Sequence, residues 1–571
     1  MIRSSRTAAL LAVSLSLASL STAIAQQART GVITGRVVTE GGQPLPRVGV
    51  KATPINAPRR GVRVTGTDEQ GRFKVEGLSP GAYSLSVAVP GYVQLPFEPG
   101  RKHYRIGESV TVTMAKGGVI TGTVTNFAGE PVVTVRVRLL RVRDDAGRQT
   151  APSSDPAEVV TDDRGVYRAY GLDAGAYLVV AGGSFRYVYG DNAYKLDAPT
   201  YHPSSTADNA AEVTVRLGEE VSGIDIRYRG GPGFAVSGAV TGTPAGSTVM
   251  GADVSLIRAD SGAVHDAAYV ALRSANRGFG FYGVTNGEYY AVARGMSRTD
   301  DGVDAASAPR RVVVKDADVT GVELPFSSLA SVAGRIAVEP AQKANLTGCK
   351  DLRDSMAIES VVVARRDQKT AQKDVPEFLS PSSYTAAPDG NGAFVLSSLD
   401  ADSYRIEVQL PGEKWYVRSM TPPSSDQPGG AAKQSRNDIA VKAGARLVDL
   451  VITLSEGAAS VSGRVTPAPR DEAGASRLHV HVVPAESEFA GDVLRYHDTS
   501  VESGGAFTLS NLAPGRYWIV VRPAPDDELR PLAWDEGLRN KLRSEAESAN
   551  NVIKLKPCER KRDFALRLGG R

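Results

Sequence analysis

The sequence predicts an all-β chain: a tandem array of five β-sandwich domains with one short helix inserted near the C-terminus. Three observations carry that expectation. A turn motif recurs five times with constant internal spacing, and a glycine-containing strand pattern precedes each copy. The flanks of each motif alternate apolar and polar residues, the period that sets one face of a strand against a core. Length and composition agree. The chain has 571 residues, more than one hydrophobic core organises, and its 42% apolar and 23% charged content is that of a globular protein.

The motif copies are GRFKVEGLSPGAY (71–83), GVYRAYGLDAGAY (165–177), RGFGFYGVTNGEY (277–289), GAFVLSSLDADSY (392–404) and GAFTLSNLAPGRY (505–517). Each closes on a tyrosine: Tyr83, Tyr177, Tyr289, Tyr404 or Tyr517. Phe73/Val75, Phe394/Leu396 and Phe507/Leu509 alternate before the turn. Tyr83/Leu85/Val87, Tyr404/Ile406/Val408 and Tyr517/Ile519/Val521 alternate after it. Two short strands joined by a Gly-bearing turn predict a β-hairpin. The closing tyrosine fits a tyrosine corner, with a buried ring and a hydroxyl bonded to nearby backbone; it also fits a plain core residue. Ala291 and Ala293 after Tyr289 predict a thinner third core.

Upstream lie TGRVV (34–38), TGTVT (121–125), SGAVT (237–241), AGRIA (333–337) and SGRVT (462–466), unevenly spaced. Solenoids keep a constant period, so uneven spacing predicts self-contained domains. The expected units are 29–116, 117–231, 232–328, 329–457 with long loops at 341–391 and 411–440, and 458–571 with a helix over 526–548. Trp534, Leu538 and Leu542 supply the helical period. No Gly/Ser or Pro tract separates the units, which predicts a semi-rigid rod or curved string.

Residues 1–25 read as a signal peptide: basic Arg3 and Arg6, an apolar run, and a small-x-small cleavage site at Ala23-Ile24-Ala25. No cysteine follows that site, which argues against a lipid anchor there. Removal of the segment leaves 65 basic against 63 acidic residues, a balance with no bulk preference for nucleic acid or anionic lipid. No later stretch approaches the ~20 apolar residues of a membrane span. The expectation is a soluble exported protein, periplasmic, cell-surface or secreted. Cys349 and Cys558 are the two cysteines; a disulfide and two buried thiols are both open.

Candidate chemistry is sparse. There is no H-E-x-x-H, G-x-S-x-G, P-loop or Cys/His dyad, so the expectation is no enzyme and no cofactor. His479 and His481 share a strand face and could hold a metal with His497 nearby; alternatively Val480 and Val482 face the core and the histidines face solvent. SFRYVYGDNAYKLDAPTYHP (184–203) carries Tyr187, Tyr189, Tyr194 and Tyr201. Loop aromatics stack on sugars or anchor a protein partner, although Tyr187 and Tyr189 also alternate as core residues would. Trp415-Tyr416 is a second candidate binding patch.

The motif set D-x-x-G-x-[FY] (Asp68 to Phe73, Asp162 to Tyr167) followed by G-L-x-x-G-x-Y resembles the carboxypeptidase regulatory-like domain, with the aspartate replaced in the other copies. The resemblance implies an Ig-like, transthyretin-like sandwich, and is similar to multi-copy exported proteins of soil bacteria such as acidobacteria. In carboxypeptidases such a domain is an appendage without chemistry of its own; related folds bind starch-like glycans or serve adhesion. The expected function is a structural or protein-interaction module at the cell envelope. The alternative is a carbohydrate-binding protein using loop aromatics. The expected partner is an envelope protein or glycan, with no nucleic acid and no membrane insertion.

Overall fold

The computed structural model describes residues 30–567 except 56–60, 96–102, 151–156, 184–192, 207–208, 243–248, 275, 297–304, 340–345, 351, 353–354, 368–378, 380, 426–437, 467–476, 503 and 525–535. The chain is all-β, with many separate sheets in tandem and one short helix.

The same register builds every unit. In the first, strand Gly31–Thr39 pairs antiparallel with Arg72–Leu78 and parallel with Ser109–Lys116. Its glycine, Gly35, lies opposite Phe73. The equivalent pairs are Gly122 with Tyr167, Gly238 with Phe279, Gly334 with Phe394 and Gly463 with Phe507. This explains the recurring glycine. A Cβ on Gly35 would stand 2.1 Å from the Val110 carbonyl oxygen and 2.5 Å from the Phe73 ring. The site is filled by the aromatic ring on one side and the neighbouring backbone on the other.

The motif is not a hairpin. Arg72–Leu78 belongs to the sheet of Gly31–Thr39, whereas Ala82–Val87 pairs with Gly49–Pro54 in a different sheet. The fifth copy does the same: Ala506–Leu512 joins Ala459–Thr466, and Gly515–Ala524 joins Arg477–Pro484. The turn therefore carries the chain across the core from one layer to the other; in the third unit Gly278–Val284 and Gly287–Met296 are likewise not paired with each other, but Ala305–Ser307 joins the two layers into one eight-stranded sheet. Alternation fixes which face is buried but not which strand is the partner. A bulge precedes each crossing, and its extra residue is left-handed: Gly77, Gly171, Gly283, Ser398 and Asn511 have φ between 60° and 72°.

Within each crossing the closing tyrosine donates its hydroxyl proton to the backbone carbonyl four residues earlier. Tyr83 reaches Ser79 at 2.7 Å, Tyr177 Asp173 at 2.9 Å, Tyr289 Thr285 at 3.0 Å, Tyr404 Asp400 at 2.9 Å and Tyr517 Ala513 at 2.7 Å. Both sequence readings of these tyrosines hold at once, because the rings are also buried in the five large apolar clusters. The third cluster is no thinner: Phe279 and Phe281, whose rings touch, belong to the same apolar cluster as Ala291 and Ala293. The aspartate ahead of the motif recurs once more than the sequence comparison suggested. Asp389 accepts the Asn391 and Ala393 amides just as Asp68 accepts those of Gln70 and Arg72.

The fourth unit has more structure than its loops predict. Val361–Arg366, Ser383–Ala386, Trp415–Thr421 and Asp438–Val441 are strands. Polar, Pro-rich flanks hide them in the sequence. Of the expected helix, Glu536–Ala549 is helical, while 526–535, with Trp534, lies outside the described residues. Leu538, Leu542 and Ala546 pack on Val483, Tyr496 and Trp518, the outer face of the fifth unit's second sheet. The expected signal segment, 1–25, also lies outside the described residues.

A string in which only sequence neighbours touch does not describe the arrangement. Outer sheet faces are covered by residues of other units. Leu140, Val142, Leu178, Val180 and Tyr201 of the second unit enclose Ala263 of the third. Ile257 and Val292 of the third pack on Leu379 of the fourth. Ala82 and Ile55 of the first pack on Val361 and Val363 of the fourth.

Candidate functional site: residues at the domain interfaces

Among the described residues, the predicted binding aromatics Tyr194, Tyr201 and Trp415 are not gathered into a site. Tyr187 and Tyr189 lie outside the described residues. Tyr201 is 3% exposed, buried at the interface of the second and third units, so its ring is not a ligand platform. Trp415 is likewise buried, at 5% exposure, and its indole donates to the Ser355 hydroxyl at 3.1 Å. It is a core residue of the fourth unit because the strand it opens is part of that sandwich. Tyr416 packs with Ala458 and Ala513 where the fourth and fifth units meet. Tyr194 is half-buried, edge-on to Tyr228 at 5.6 Å, and its hydroxyl donates to the Val133 carbonyl at 3.1 Å. Among the described residues, the aromatics that do reach the surface were not singled out in the sequence: Phe127, Tyr170, Tyr282 and Tyr269 are 65%, 56%, 51% and 46% exposed.

The histidine pair also departs from expectation. Val480 and Val482 face the core, but His481 does not face solvent; it is 3% exposed. It stands opposite Asp498 in the ladder, and the His479 ring stacks beside it at 6.1 Å. Burial pushes the His481 imidazole down to about 4, with Asp498 acting in the opposite sense. His497 is also pushed to about 4 by burial. Among the described residues no group of three or more His, Cys, Asp or Glu side chains is placed to hold a metal. The cysteines meet: Cys349 and Cys558 are bonded through their sulfurs, joining the fourth unit to the fifth.

Several polar residues that the sequence did not mark lie where units meet. Arg138, buried on the outer face of the second unit, donates to the His265 carbonyl of the third at 3.2 Å and to Gly182 at 3.3 Å. Burial lowers its pKa, opposed by Tyr201, Asp266 and Glu158. The His265 ring packs edge-on to Tyr289 at 5.8 Å. Burial, then the charges of Arg138 and Arg258, hold its imidazole down at about 3, so it is neutral near pH 7. For Arg258 burial works against the charge, but Asp260 and two tyrosines outweigh it and raise the guanidinium above its usual range.

Between the fourth and fifth units, Asn511 donates to the Gly412 carbonyl at 2.9 Å and the Trp415 carbonyl at 2.8 Å. Arg560 pairs with Glu413 across the same boundary. A sequence signal for these contacts exists: Val361-Val362-Val363 and Leu178-Val179-Val180 are apolar on both strand faces, so something must cover the outer one.

Fold and interfaces together define a tandem β-sandwich protein in which several buried polar groups, Arg105, Arg138 and His265 among them, sit at the seams between units. The first unit, residues 32–115, matches the family model of the carboxypeptidase regulatory-like domain. No curated protein matches the chain. Among solved structures the chain is similar to the Bacillus anthracis TIE protein, at 10% identity over 75% of each chain with a TM-score of 0.15. It is similar to the minor pilin GBS52 of Streptococcus agalactiae, at 15% identity over 38% of this chain and 98% of that one, TM-score 0.19. The shaft pilin SpaA of Lactobacillus rhamnosus GG aligns at 13% identity over 35% and 98%, TM-score 0.17. Scores this low carry no information on function.

Proposed function

We propose that the chain is a non-catalytic, exported multi-sandwich protein that works as a structural or protein-interaction module at the cell envelope. One observation carries the reading: among the described residues, most of the side chains that the sequence singled out are engaged in packing. The five motif tyrosines bond their own turns. Trp415, Tyr201 and His481 are buried. Export rests on the N-terminal segment, a reading of sequence alone. Crosslinking of intact cells followed by mass spectrometry tests the proposal. The expected result is crosslinks from this chain to one or a few envelope proteins. Recovery of the chain in the cytosol, or turnover of a substrate by the purified protein, would overturn it. A glycan array in parallel separates the carbohydrate-binding alternative, which predicts a specific hit where the module reading predicts none.

A further inference from the structure

The first and fourth units touch although Arg105 and Glu359 are 254 residues apart. The contact is built from strand alternation. Ala82 and Arg105 face each other across paired strands, beside Tyr83 and Tyr104, which fill the first core. Ala82 and Arg105 therefore point to the opposite, outer face. On the fourth unit Val362 and Ala364 fill the core, so Val361 and Val363 point outward. The two outer faces meet in one cluster of Ala82, Val361, Val363 and Ile55. At its rim the Arg105 guanidinium donates to the Glu359 carbonyl at 3.0 Å and the Leu410 carbonyl at 3.0 Å.

Because the first unit also adjoins the second, the second the third, and the third the fourth, this contact closes four units into a ring. We infer that it is a releasable latch, and that the first unit swings on Gly117 when it opens, baring the Val361/Val363 face.

Two features of this contact favour its release. Its apolar part is small, a few short side chains, and seams of that kind between domains behave as transient interfaces. Its hinge is bare. Gly117 is the single residue between strands Ser109–Lys116 and Gly118–Thr125. It donates to the Gly91 carbonyl at 2.9 Å and lies so near Gly171 that a Cβ would stand 2.5 Å from that residue's Cα. Three glycines thus meet at this joint.

Spin labels on exposed Glu69 and Asn391, introduced as Glu69→Cys and Asn391→Cys, report the separation of the two units by pulsed dipolar spectroscopy on the full chain. The native background is expected to give one narrow distance population. Arg105→Ala on one side of the latch and Val363→Asp on the other are each expected to add a longer, broad population, and the two combined no more than the stronger alone. Circular dichroism of each variant guards against loss of fold; Val363→Ser replaces Val363→Asp if the latter unfolds. A native distribution that is already broad, or variants that leave it unchanged while folded, would overturn the inference.

Discussion

The joint between the first and second units and the joint between the fourth and fifth occupy the same place in the repeat, yet they are built oppositely. Each lies at the bulge of the motif strand, where the left-handed residue is Gly171 in one and Asn511 in the other. Gly171 brings only backbone, packed against Gly91 and Gly117. Asn511 tolerates the same left-handed φ and adds a side-chain amide that spans the seam to Gly412 and Trp415. Nearby, Cys349–Cys558 ties the same two units covalently, and the Cys558 amide bonds the junction carbonyl of Gly457 at 3.0 Å. One position of the motif thus meets the neighbouring unit through backbone alone in one joint, and in the other through a side-chain bridge that a disulfide and the Arg560–Glu413 pair reinforce.

The strongest way to break the contrast is to cut the covalent tie. Cys558→Ser, or reduction, releases a loop whose ends are 209 residues apart in sequence. The expected loss is about 2–4 kcal/mol, seen in calorimetry as a lower transition for the last two units with little change in the first. An unchanged profile would mean that the tie is redundant.

A second test uses pH at the seam between the second and third units. His265 is held neutral, down at about 3 in the fold, against an ordinary value near 6.5. The unfolded chain therefore binds this proton first. The contribution of His265 is fully present above pH ~6.5 and falls as pH drops toward 3, by about 1.4 kcal/mol per unit. Thermal melts at pH 7 and pH 5 should show a larger loss in the native chain than in His265→Asn. Equal losses would contradict the assignment.

The smallest effect sharpens the comparison most. Asn511→Gly keeps the left-handed backbone and removes only the bridge, so the fifth unit should lose about 1–2 kcal/mol and gain hydrogen exchange at Gly412–Trp415. Exchange unchanged there would show that the amide bridge does not fasten the seam.

Much of this was legible in the sequence. Five copies of one turn, with Phe73, Tyr83 and their equivalents alternating, predict the strands and buried tyrosines. Pairing was not legible: the same alternation serves a hairpin and a crossing between sheets, and only the bulge at Gly77 or Asn511 distinguishes them. Trp415 and Tyr201 read as surface aromatics because polar, Pro-rich neighbours surround them, and each lies at the end of its strand. Arg105 and Arg138 gave no local signal, since their partners are backbone carbonyls far along the chain. The covering of Val361 and Val363 was written in the apolar run itself, but not the identity of the cover.

Small-angle X-ray scattering of the mature chain tests the claim that these sandwiches close on one another. The account predicts a distance distribution with one compact maximum, and a long tail appearing in Arg105→Ala. A native profile already stretched to the length of five sandwiches end to end would contradict it.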